Sequence, residues 1–194
     1  MRAGRTLSTI VVLAGLCLPA HAGSIDSAYT KIDLDRCAVI ETHELGLTWR
    51  CPGFNEIPVF VAESDLRFYV SFGETGRNEI AFTATPSGFN TINETLEWRF
   101  RADQGRRIPF ATILRYFVDR GDGSGTGQAL VVTRLGVGTT CHIGYVDARA
   151  VRDANVVARR IADEQAETFD CGSEPTVVGI AGVTMNEFWW SLKR

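Results

Sequence analysis

The sequence predicts an α+β fold: mainly antiparallel β-sheet arranged as a meander, one late C-terminal amphipathic helix, and two disulfides. Three observations carry this. Apolar and polar residues alternate with period two over residues 66–72 and again over Leu96-Glu97-Trp98-Arg99-Phe100-Arg101, the pattern of strands with one buried face. Only the stretch after Asp153 spaces its apolar residues as a helix does. Four of the five cysteines lie beyond an N-terminal leader whose features place the rest of the chain in an oxidising compartment.

The leader occupies residues 1–22. Arg2 and Arg5 form a basic start, residues 10–18 an apolar run, and Ala20-His21-Ala22 a small-x-small cleavage site, the three parts of a secretory signal peptide. The apolar run is shorter than the roughly 20 residues that cross a bilayer. Cleavage after Ala22 leaves residues 23–194 as a single domain with no further candidate transmembrane segment. It removes Cys17, two arginines and no acid, taking the formal charge from −3 to −5. An acidic domain gains nothing from the field of a phosphate backbone, so nucleic acid is not an expected partner. The expected location is the periplasm or the exterior.

Residues 23–26 read as a loose start and residues 29–35 as a first strand. Leu47-Thr48-Trp49-Arg50 is extended and Cys51-Pro52-Gly53 ends it. Pro58-Val59-Phe60-Val61-Ala62 is a strand and Glu63-Ser64-Asp65 a tight connection. In the partner strand Leu66, Phe68, Val70 and Phe72 share one face. Ile80, Phe82 and Ala84 continue the alternation. In residues 96–101 the apolar members are expected to face the core and the charged members water. Residues 111–118 and 129–135 form a hairpin around the glycine-rich loop 121–127, followed by a strand at 140–146. The helix is expected to be capped by Asp153 and to bury Ala154, Val157, Ala158, Ile161, Gln165 and Phe169. Arg159 with Asp163, and Arg160 with Glu164, are spaced as exposed i,i+4 pairs. Residues 176–181 are extended.

Four cysteines allow three pairings. Cys37 with Cys51 and Cys141 with Cys171 are favoured because each pair flanks a short local unit. On a chain-entropy argument such loops stabilise by about 3 kcal/mol each. No Cys-x-x-Cys spacing points to zinc, and neither a metal nor a cofactor is expected.

Outside the leader the histidines are His43 and His142. His43-Glu44 opens like a zinc-protease motif, but Leu47 stands where the second histidine must be. His142 adjoins Cys141 on a strand, where neighbours point to opposite faces, so the two do not make a nucleophile and base. The glycine loop has no lysine and opens no helix, which argues against a phosphate cradle. Asp119 and Asp122 are candidate calcium ligands without the regular loop spacing. Asp33 and Asp35 are the carboxylates best placed for glycoside hydrolysis if they share a strand face. The aromatic cluster Phe188, Trp189 and Trp190 is the candidate binding patch; its other role is to pack on the sheet and anchor its own segment.

The blocks Thr48-Trp49-Arg50-Cys51-Pro52-Gly53, Pro58-Val59-Phe60-Val61, Asp65-Leu66-Arg67-Phe68, Pro109-Phe110-Ala111-Thr112-Ile113-Leu114-Arg115-Tyr116 and Cys141-His142-Ile143-Gly144-Tyr145-Val146-Asp147-Ala148 together resemble a family of small exported alphaproteobacterial proteins of unknown function. The resemblance runs from about Tyr29 to Cys171, most of the mature chain. It implies a periplasmic setting and no particular activity. The expected function is that of a non-enzymatic periplasmic binding or interaction protein, with an envelope protein or glycan as partner. The alternative is a carboxylate-dependent hydrolase of envelope glycans.

Overall fold

The structure is a computed structural model, and it describes residues 24–121, 123 and 125–179. Among the described residues ten strands and one α-helix form three layers. A six-stranded sheet in the middle has the order β1-β6-β7-β8-β9-β10, with β1 at Ser24–Lys31, β6 at Asn90–Asp103, β7 at Arg106–Asp119, β8 at Thr126–Arg134, β9 at Cys141–Asp147 and β10 at Thr176–Val178. A four-stranded meander packs on one face: β2 (Ala38–His43), β3 (Gly46–Cys51), β4 (Val59–Ser64) and β5 (Arg67–Phe72). The helix α1 (Ala154–Gln165) covers the other face. All strand pairs are antiparallel except β9 and β10, which are parallel.

Two cores follow from these layers. Between the sheets, Val59, Val61, Val70 and Phe72 meet Leu96, Trp98, Leu114, Tyr116 and Val131. Trp98 is fully buried, and its indole N–H donates to Thr30 Oγ at 2.8 Å, so its one polar group is satisfied within an apolar layer. On the far side, Ile113, Leu130, Val132, Ile143 and Val146 receive Ala158, Ile161 and Ala162 of the helix. Alternation along β7 and β8 feeds both cores, because successive side chains leave opposite faces.

Several expectations are corrected. Strand pairing begins at Ser24, opposite Ala102, so residues 24–26 are part of β1, and the strand stops at Lys31. Residues 34–36 form a 3-10 turn, which removes the shared strand face proposed for Asp33 and Asp35. The connection after β4 is two residues, Asp65 and Leu66, with φ of 51° and 61°, the left-handed pair that matches the twist of a hairpin. Leu66 therefore sits at the turn, 60% exposed, and not on the buried face.

Ile80, Phe82 and Ala84 are not a strand; Ile80–Thr83 is a 3-10 turn. The buried carboxylate of Glu79 fixes it, accepting from Gly138 N–H at 2.7 Å, Thr140 N–H at 3.0 Å and Thr75 Oγ at 2.6 Å, while Ala81 N–H donates to Thr140 O. Asp153 precedes the helix but has a left-handed backbone (φ 56°) and makes no side-chain cap.

The charged residues of residues 96–101 depart furthest from the expectation. Glu97 and Arg99 are each only 7% exposed, because α1 lies over them. Arg159 and Asp163 do not pair along the helix; they reach down to Glu97 and Arg99.

Candidate binding groove

Both cysteine pairs are disulfides as favoured: Cys37–Cys51 with Cα atoms 4.6 Å apart, and Cys141–Cys171 with 5.8 Å. The first ties the end of the 3-10 turn at Leu34–Arg36 to the end of β3; the second ties the start of β9 to the segment after α1. Phe188, Trp189 and Trp190 lie outside the described residues.

The candidate catalytic groups are not assembled. His142 is buried, with Nδ1 2.8 Å from the Tyr145 hydroxyl and the rings edge to face. Burial pushes its pKa down to about 3, so it is a neutral imidazole held inside the protein. His43 stands apart on β2, with Nε2 3.3 Å from Thr48 Oγ. Asp119 accepts the Gly121 N–H at 2.9 Å; Asp122 lies outside the described residues. Among the described residues there is no cluster of three side chains suited to a metal ion. Asp33 and Asp35 do line one small pocket of about 220 Å³, together with Glu94, whose carboxylate is 2.8 Å from Lys31 Nζ.

A groove of about 920 Å³ lies at the end of the molecule where the β4–β5 turn meets the starts of β6 and β8 and the end of β7. Trp49, Phe68 and Leu66 line it from the small sheet, and Phe89 and Phe117 from the large one. Phe89 is 51% exposed, so two large apolar side chains, Leu66 and Phe89, face water at its rim. Among the described residues Glu63 and Asp119 supply its formal charges, and Asn90, Thr91, Thr126 and Gln128 its neutral polar groups.

A single buried amide fixes this geometry. Asn90 Oδ1 accepts the Phe68 N–H at 3.0 Å, its Nδ2 donates to Pro86 O and Gly88 O at 3.0 and 3.1 Å, and its own N–H donates to Leu66 O at 2.9 Å. Two of these four bonds cross between layers and two close the loop that carries Phe89, so the aromatic wall rests on a satisfied polar post. Gly88 allows the close approach: at φ 83°, a Cβ there would meet Asp119 O at 2.6 Å.

Sequence reading missed the groove because its walls come from five separated stretches of chain. The one local signal is Phe89 itself, a large apolar residue directly after Pro86-Ser87-Gly88, where a turn leaves it without a strand face to hide on. Among the described residues no helix is long and apolar enough to cross a membrane. No protein-family model, no curated protein and no solved structure matches this chain.

Proposed function

We propose that this is an exported binding domain of the cell envelope, working in the periplasm without catalysis, and that the groove at Phe89 is its binding surface. The observation that carries the reading is the pairing of exposed apolar groups with a rigid frame: Leu66 and Phe89 are held at the rim by the Asn90 post, and the surrounding sheets are cross-linked by two disulfides. Pre-ordered apolar side chains lose little entropy when a partner covers them. The two disulfides support export.

The charge of the groove narrows the partner. Among the described residues its lining carries Glu63 and Asp119 and no cation, which disfavours carboxylate-rich envelope glycans and favours an apolar polypeptide segment bearing Lys or Arg. The test is recovery of a stoichiometric envelope protein by the mature chain, and its loss on Phe89→Asp. Recovery that is indifferent to Phe89→Asp and Leu66→Asp would refute the groove as the surface.

The second reading, a glycan hydrolase, rests on the three carboxylates at the pocket beside Asp33 and Asp35. It requires release of soluble fragments from envelope glycans, abolished by Asp33→Asn or Asp35→Asn. Fragment release that survives both substitutions, or no release at all, removes it.

A further inference from the structure

We propose that residues 180–194 of this same chain dock in the groove, with Phe188-Trp189-Trp190 on its aromatic wall and Lys193-Arg194 against Glu63 and Asp119. The inference rests on the groove being a binding surface, and it names an occupant.

The exit of β10 places the segment at the right end of the molecule. β10 runs parallel to β9, with Val178 opposite Val146, and β9 in turn pairs Asp147 with Ala129. The next row along the sheet pairs Gln128 with Phe117, and Phe117 with Thr91, all three in the groove lining. The chain therefore leaves Gly179 at the groove end of the sheet. Three strand spacings, about 15 Å, separate β10 from β7. The nine residues from Gly179 to Phe188 span up to about 30 Å when extended, which is ample reach.

The chemistry matches from both sides. The groove offers Trp49, Leu66, Phe68, Phe89 and Phe117 with two carboxylates and no cation. The segment offers three consecutive aromatic residues followed by Lys193 and Arg194, with Glu187 its single acid. Aromatic side chains bring about 150–250 Å² of contact each, so three of them have reason to leave water for a ready apolar wall. In this arrangement the segment and an external partner would share one surface.

The test uses the purified mature chain with a benzophenone photocrosslinker in place of Phe89, and a second sample with it in place of Val156, an exposed residue of α1. Illumination and peptide mapping should join position 89 to the peptide containing residues 188–190 within one chain, and should not join position 156 to it. Trp189→Ser with Trp190→Ser, and separately Lys193→Glu with Arg194→Glu, should lower that product, the aromatic pair by about tenfold or more. Circular dichroism of each variant confirms an intact sheet. A link from 89 only to other parts of the chain, an equal yield from 156, or a link found only between mixed labelled and unlabelled copies overturns the inference. The proposed function is judged separately, by whether Phe89→Asp abolishes capture of an envelope protein.

Discussion

Arg99 on β6 meets Asp163 on α1 through two hydrogen bonds, Nε to Oδ1 at 2.8 Å and Nη2 to Oδ2 at 2.7 Å. Two residues along β6, Glu97 takes Arg159 in the same way, at 2.6 and 3.2 Å, and Ser27 bridges the pairs by donating to Glu97 and accepting from Arg99. Tyr29 Oη accepts from Arg159 at 3.1 Å at the edge of the group. The helix is thus fixed over β1 and β6 by charge and over β8 and β9 by apolar contact. Removing one member leaves its partner charged and under-satisfied beneath a helix.

Asp163→Asn is accordingly expected to cost about 2–4 kcal/mol, below the full cost for a fully buried pair because roughly a quarter of the Asp163 side chain meets water. Urea unfolding of the single variant and of Arg99→Met with Asp163→Leu measures it. The double apolar variant should recover most of the loss.

His142 sets a pH dependence. Its pKa is lowered from 6.5 to about 3 by burial, so between those values the unfolded chain binds a proton that the native chain refuses. Stability from this group is intact above about pH 6.5 and falls as pH falls, by about 1.4 kcal/mol per pH unit until the imidazole protonates near pH 3. In His142→Gln the slope of unfolding free energy between pH 6 and 4 should be shallower by that amount, read from denaturant melts at each pH.

Gly144 marks the closest approach of sheet and helix. A Cβ there would lie 2.7 Å from Ile161 Cγ2. Gly144→Ala should destabilise by about 1–3 kcal/mol through overpacking. Combined with Ile161→Ala it should cost less than the sum of the two single changes, a coupling that a double-mutant cycle measures.

The Cys141–Cys171 bond holds the far end of the helical unit to β9. Cys141→Ala with Cys171→Ala should lower stability by about 2–4 kcal/mol. Peptide mapping of the unreduced chain should link 37 with 51 and 141 with 171, and no other pair.

The buried face of Phe68, Val70 and Phe72 and the single helical stripe were legible because each reports its own burial. The cysteine pairing was legible because both bonds close short units. What the sequence hid depends on a third body. Glu97 and Arg99 read as a wet face, and do so correctly for a lone two-layer sheet; the helix that covers them arrives some sixty residues later with the matching charges. Ile80 to Ala84 alternates like a strand, but the carboxylate of Glu79, anchored to Gly138 and Thr140, bends it into a turn. The groove combines residues from β3 to β8, and its one local signal, Phe89 after Pro86-Ser87-Gly88, announces an exposed ring but not the walls around it.

The proposed function requires the rim at Leu66 and Phe89 to meet another envelope protein. The direct measurement is photocrosslinking in intact cells that make the chain with a benzophenone at position 66, at position 89, or at position 156 on the exposed face of the helix. The account predicts a covalent product of one defined mass, joining the chain to another protein, from positions 66 and 89 and not from 156. The absence of any such product at 66 and 89, or the same products from all three positions, would contradict it.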